Sequence, residues 1–468
     1  MTASYDLIVI GAGPGGYPLA IRMARHGWKV VLIEREEVGG TCLNQGCIPT
    51  KALLASAKGF HHLKSASSLG LFVEKAGFDW TKIQTRKDQV VNQLRGGIRK
   101  LLQSAGVTLI TGDAKLHPGK KVTVALRSVD ATSSVDAPVS SWEGTAERVC
   151  LAVGSIPWAP PSFPTDRRLF WTSNEALAAE KIPESLLIVG GGVIGLELGQ
   201  VYAEFGCKVT IVEMMPQILP GLDSATARRL VPVFKKAGLE ILTAQKVDSL
   251  GESAGRVEAV IGGQARFFDK ALLAVGRRPD LGVVKGTGVS FEMQGPFLKV
   301  GEDFQTSEVG VFGIGDCIPG PMLAHKASYD AGVLADRFIG KPVKPDYRVV
   351  PSCVYTYPEI AWVGISEDEA KTRGMNVKVG RFPFSANGKA LTTGEGDGQI
   401  KMLIDDQKHV VGAILWGPEV SNLITEPSLA MGLNLDAHSV CSVIHAHPTL
   451  AEATLEGLEN ALGCGVHS

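Results

Sequence analysis

Leu7-Ile8-Val9-Ile10-Gly11-Ala12-Gly13-Pro14-Gly15-Gly16 decides how this chain is read, because its pattern returns as Leu186-Leu187-Ile188-Val189-Gly190-Gly191-Gly192-Val193-Ile194-Gly195. A lone GxGxxG means little in a chain holding 55 glycines. Here each copy follows an apolar run of strand length and enters a helical pattern. Each then leads to a second apolar strand ending in an acid, Val30-Val31-Leu32-Ile33-Glu34 and Val209-Thr210-Ile211-Val212-Glu213. The acid stands at one offset from the first glycine in both copies (34 − 11 = 213 − 190 = 23). Such a βαβ unit binds a dinucleotide. The glycines (Gly11, Gly13, Gly16; Gly190, Gly192, Gly195) let a pyrophosphate reach a helix N-terminus, and the acid accepts hydrogen bonds from ribose hydroxyls. Glu213 would repel a 2′-phosphate, and Met214-Met215 follow where an arginine would welcome one, so the second site reads as NAD rather than NADP.

Just beyond the first unit stands Gly39-Gly40-Thr41-Cys42-Leu43-Asn44-Gln45-Gly46-Cys47-Ile48-Pro49-Thr50-Lys51. Two readings of its cysteines are open. They are unrelated buried thiols, or they are a reactive pair, since a helix N-terminus lowers a thiol pKa and the thiolate is the reactive form. On a regular helix residues five apart lie roughly 8 Å apart at Cα, beyond the ~7 Å a disulfide spans. A bridge therefore needs a bent backbone, for which Gly46 and Pro49 are suited, and would be reducible rather than a staple.

The bulk composition sets limits. A chain of 468 residues is too long for one core and suits three or four domains. With 47 basic and 48 acidic residues, nothing points to nucleic acid or an anionic membrane. No apolar run approaches the ~18 residues of a membrane span, and with no basic or long apolar stretch before Tyr5 no signal peptide is expected. Eight scattered cysteines are not a secreted disulfide framework, so a cytoplasmic location is expected. No metal site is expected.

The string Gly39 to Lys51, together with both nucleotide fingerprints, resembles the pyridine nucleotide-disulfide oxidoreductases, most closely their dihydrolipoamide dehydrogenase branch. The likeness runs over essentially the whole chain. It implies an α/β fold with two Rossmann-like dinucleotide-binding domains plus a C-terminal α+β interface domain. It also implies FAD in the first nucleotide site, NAD in the second, and a redox-active Cys42–Cys47 disulfide. Carried over residue by residue, it places Thr41, Lys51, Ala114, Asp316 and Ala324 at the flavin, with Glu197 opposite Lys51 near the nicotinamide. Asp316 ends Val311-Phe312-Gly313-Ile314-Gly315-Asp316, and Ala324 lies in Met322-Leu323-Ala324-His325. Val247 and Gly276 match further NAD contacts.

Near the far end, His445-Ala446-His447-Pro448-Thr449-Leu450-Ala451-Glu452 matches the family's C-terminal motif. There the second histidine is the acid-base and the glutamate orients it, which gives His447 and Glu452 those roles and leaves His445 structural. From the residues alone Glu452 has a rival role, since Thr449-x-x-Glu452 has the form of a helix capping box. In the family this histidine serves the disulfide of the other subunit, so a homodimer is implied. The implied partner is a lipoyl-bearing acyltransferase or carrier protein of a multienzyme complex.

The expected organisation is a first FAD-binding part at 1–150, an NAD-binding domain at 151–277, a central segment completing the FAD site at 278–348 and an interface domain at 349–468. Residues 128–141 read as a loop between strands. The expected function is oxidation of dihydrolipoyl groups with reduction of NAD⁺. Within the enzyme class the rivals are other disulfide reductases. Glutathione-type enzymes use NADPH, mercuric reductases carry a vicinal cysteine pair near the C-terminus where Cys464 stands alone here, and soluble transhydrogenases lack the paired cysteines. From a different class, the chain would be a docked structural subunit or a nucleotide sensor without turnover.

Overall fold

The computed structural model describes residues 3–127 and 141–467. Most of the expected loop at 128–141 lies outside the described residues. The chain divides into two compact units, each of several segments.

The first unit comprises residues to Ala52, Gln84–Trp158 and Gly276–Pro345. Its sheet runs, in spatial order, Thr108–His117, Val30–Glu34, Ala3–Ile10, Ser141–Leu151 and Val311–Gly313, all parallel. Lys121–Leu126 pairs antiparallel with both Thr108–His117 and Ser141–Leu151. Leu7, Ile8 and Val9 are fully buried on both faces, as expected of a parallel strand covered by helices. The order of connection reverses beside the Ala3–Ile10 strand, which places a ligand crevice at its carboxyl end, where the Gly11 turn lies.

The second unit comprises Leu53–Ile83, Ala159–Val275 and Asp346–Ser468. It repeats that arrangement: Leu239–Leu242, Lys208–Val212, Ser185–Val189, Lys270–Leu273 and Phe170–Trp171 lie side by side, all parallel. The reversal again falls beside the strand that feeds the glycine turn. A three-stranded antiparallel sheet, Val247–Ser253, Arg256–Ile261 and Gln264–Phe268, is added to it. From Ser352 onward the pattern changes to an antiparallel sheet ordered Ser352–Val354, Glu359–Gly364, Val410–Gly417, Gln399–Ile404 and Lys378–Pro383. The helix Glu452–Leu462 packs on it through Ala453, Leu458 and Ala461. Among the described residues no helix is long and apolar enough to cross a membrane.

Candidate functional site

The two glycine turns are built alike. Gly11 has φ +101° and Gly190 φ +112°, and a Cβ on Gly16 or Gly195 would stand 1.8 or 2.1 Å from the carbonyl oxygen of Gly11 or Gly190. Only glycine permits that closeness. The helices that follow, Gly16–Arg25 and Val193–Glu204, have glycine N-caps with no side-chain hydrogen bond. In Gly16–Arg25 the Tyr17 amide donates to Gly13 O at 3.2 Å and Pro18 has no amide, whereas the Gly192 cap leaves the first amides of Val193–Glu204 to an anion such as a pyrophosphate.

The acids hold the turns from the side. Glu34 accepts from the amides of Ala12 (2.7 Å) and Glu36 (3.0 Å). Burial is the largest influence on its carboxyl and holds it above the usual range despite those amides. Glu213, almost fully buried, accepts from Gly191 (2.8 Å) and Met215 (2.7 Å). Each carboxylate therefore anchors its own glycine turn. Met214 and Met215 are exposed beside Glu213 and supply no cation for a 2′-phosphate.

Cys42 and Cys47 lie on different helices. Gly40–Gln45 ends at Gly46 (φ −149°, ψ −113°) and Cys47–Ser65 begins at once, so the backbone bend required for pairing is present at Gly46. Thr50 Oγ1 donates to the Gly46 carbonyl at 2.6 Å and secures the break. Both cysteines are thiols here, not a disulfide, and they are hydrogen-bonded to each other. That bond, then burial, raises the Cys42 thiol well above its ordinary value, against the pull of the Lys51 charge.

Several residues around the thiols have structural roles that the sequence does not name. Asn44, between the cysteines, donates to the carbonyls of Glu37, Val38 and Gly40 at 3.0–3.2 Å and accepts from Arg95 at 2.8 Å. Tyr17 has its phenol raised first by burial and then by Cys42. Arg277 donates to Ser155 Oγ (2.8 Å) and Ser155 O (2.6 Å), and Ser155 Oγ donates to Asp316 at 2.6 Å. Burial lowers the Arg277 guanidinium, with Asp316 and Cys47 opposing. The turn bearing Asp316 is strapped by a buried ion pair. Lys326 meets Asp330 at 2.8 Å, and Asp330 accepts from the Gly315 amide at 2.9 Å. The i,i+4 spacing of Lys326 and Asp330 was the one signal available in sequence.

Of the remaining positions, Ala114 is half-buried on Thr108–His117 and Ala324 opens the helix Ala324–Phe338. Thr41 and Lys51 flank the cysteines in the first unit, where Gly276 (φ +129°) also falls. Val247 and Glu197 belong to the second unit and are buried. Glu197 accepts from the Tyr355 amide at 2.9 Å.

His447 Nδ1 meets Glu452 Oε1 at 2.8 Å, and its ring is largely exposed. The other oxygen, Glu452 Oε2, accepts from the Thr449 amide at 2.8 Å. The two roles weighed for Glu452 are thus divided between its two oxygens. The capping box itself does not form. Thr449 Oγ1 donates back to Ala446 O, and Ala451 is the N-cap residue. For Glu452 burial is the largest influence and pushes upward, yet the Thr449 amide and His447 outweigh it and lower the carboxyl. His445 has both ring nitrogens engaged, with Val443 O (2.9 Å) and Glu426 (2.8 Å), as a structural residue should.

Comparison with known proteins gives a consistent picture. Residues 5–331 match the pyridine nucleotide-disulphide oxidoreductase family, and residues 350–457 match its dimerisation domain. A dihydrolipoyl dehydrogenase of Thermus scotoductus is 42% identical, covering 97% of each chain. One from Halobacterium salinarum is 38% identical over 99% of this chain and 97% of its own, and one from Bacillus subtilis is 35% identical over the whole of both. Among solved structures, LpdA from Mycobacterium tuberculosis superposes with a TM-score of 0.88 at 25% identity, covering 97% of this chain and 99% of that one. The chain belongs to the pyridine nucleotide-disulphide oxidoreductase family.

Proposed function

We propose that this chain oxidises dihydrolipoyl groups and reduces NAD⁺, as a homodimer. The observation that carries the reading is the dithiol, Cys42 hydrogen-bonded to Cys47 across the Gly46 break, in the unit organised around the Gly11 turn. The uncapped helix at Gly16 and the acid Glu34 fit the pyrophosphate and ribose of FAD, and Asp316 fits its ribityl hydroxyls. Thr41, Lys51, Ala114 and Ala324 are assigned to the same cofactor. Gly190, Gly192, Gly195, Glu213, Val247, Gly276 and Glu197 are assigned to NAD. FAD, when bound, supplies the two-electron carrier between the dithiol and the nicotinamide.

The protein's own groups handle the thiols. His447, with Nδ1 committed to Glu452, takes the proton of a substrate thiol at Nε2. The thiolate attacks Cys42 Sγ of the oxidised pair. The Cys42–Cys47 bond breaks, and Cys47 leaves as a thiolate. The second substrate thiol then attacks the substrate sulfur of the mixed disulfide, its proton passing to the departing Cys42. The substrate ring closes and Cys42 is released, leaving the reduced dithiol. The lowered Glu452 carboxyl stays ionised at neutral pH, which suits it to support the imidazolium.

The four-part division at 150, 277 and 348, a cytoplasmic location and a lipoyl-bearing acyltransferase or carrier protein as partner complete the proposal. The test is NADH formation by the flavin-loaded protein from free dihydrolipoamide and NAD⁺, with NADP⁺ alongside. Turnover with NAD⁺ alone is expected. No turnover with dihydrolipoamide, while NADH still bleaches the flavin, would overturn the substrate assignment.

A further inference from the structure

Three residues beyond Glu197 on the same face of the helix Val193–Glu204 lies Gln200, also buried. Its carboxamide pairs with both backbone groups of one residue. Nε2 donates to Tyr357 O and Oε1 accepts from the Tyr357 amide, each at 2.6 Å. A side chain thus stands in for a neighbouring strand, and it fixes the height of the segment Tyr355-Thr356-Tyr357 against the helix. Two residues earlier, the Tyr355 amide donates to Glu197 Oε1. Thr356, between them, is fully buried and donates to Pro358 O at 2.8 Å, so the segment has little room to adjust independently.

We propose that Gln200 is a positioning residue for the NAD-linked half of the reaction. By pinning Tyr357 it holds the Tyr355 amide, and that amide fixes the carboxylate of Glu197. A backbone amide aimed at one carboxylate oxygen selects a single rotamer of a buried glutamate, and displacement of such a group is costly to hydride-transfer geometry. The proposal rests on the assignment of Glu197 to the nicotinamide site.

The test uses the flavin-loaded enzyme and reads NADH oxidation with ferricyanide as acceptor, which needs neither the dithiol nor a lipoyl substrate. The NADH half-reaction is therefore read without the substrate assignment, and dihydrolipoamide enters only as the control half-reaction. Gln200→Met, of similar shape without the polar pair, is expected to slow flavin reduction by NADH about tenfold in stopped flow. Reduction of the flavin by dihydrolipoamide should be unchanged. Gln200→Glu supplies the control for folding. As a neutral acid it keeps one donor and one acceptor, whereas as a carboxylate it loses the donor and repels Glu197. Its NADH half-reaction should be near wild type at low pH and fall relative to wild type as pH rises. Equal loss in both half-reactions, or NADH reduction in Gln200→Met at the wild-type rate, would overturn the proposal. So would a Gln200→Glu profile parallel to wild type.

Discussion

At the scale of single residues, the decisive features are carboxylates that serve two masters. Glu452 gives one oxygen to His447 and the other to the Thr449 amide. Glu452→Gln can keep the amide contact yet no longer supports an imidazolium. We expect the dihydrolipoamide half-reaction to slow by about 10²-fold, the lower end of what a positioned base contributes. Reduction of the flavin by NADH should be unaffected, and stopped-flow traces of the two halves separate these outcomes. His445 permits a different kind of check. Burial, its largest influence, works downward. The Glu426 hydrogen bond and the Val443 carbonyl outweigh it, so its pKa in the folded protein is raised above 6.5. A raised histidine stabilises the fold below its unfolded pKa, and the contribution is lost as pH rises through the folded value. Glu426→Gln should therefore lower the melting temperature by about 1–2 °C below pH 6.5, with the difference shrinking at higher pH. A difference that grows with pH would contradict the raised value.

At the scale of elements, each nucleotide turn is a strand, a glycine corner and an uncapped helix, held by an acid from the next strand. The Gly190 carbonyl occupies the space where a Cβ on Gly195 would go. Gly195→Ala must therefore push the helix Val193–Glu204 away from the turn. A displacement near 1 Å at such a site costs up to about 10²-fold in rate. We expect a rise of that order in KM for NAD⁺ with the flavin fully retained, because the Gly11 turn is a separate copy. Flavin loss on this change would show the two turns to be coupled. The cysteine region is also an element-level device, since Gly46 interrupts what would otherwise be one helix and thereby lets Cys42 approach Cys47.

For the whole molecule, the prediction concerns subunits. Residues 350–457 match a dimerisation domain, and the exposed apolar residues Val443 and Ile444 directly precede the His445 motif. If His447 serves the partner's dithiol, two inactive variants should complement each other. Cys47→Ser and His447→Gln, co-expressed, form hybrid dimers holding one intact and one doubly broken site. Random pairing makes half the population hybrid, so activity should recover to about a quarter of wild type. Homodimers of either variant alone should stay inactive, and a mixture with no recovery would place each histidine with its own cysteines.

The repeated βαβ pattern was readable in the chain because its parts are contiguous. An apolar run, a glycine corner, a helical period and an acid at fixed offset all lie within about one βαβ unit's length. The same holds for the cysteine string and for His447 with Glu452, five residues apart. The binding of the turn amides by Glu34 and Glu213, the Asn44–Arg95 brace and the Arg277–Ser155–Asp316 chain were decided only by tertiary structure. So was the pairing of Gln200 with Tyr357, 157 residues away. A buried amide or guanidinium must find a partner, but nothing periodic in the sequence names which one. Folding brings the two ends together, and only the assembled sheet order determines which backbone groups they meet.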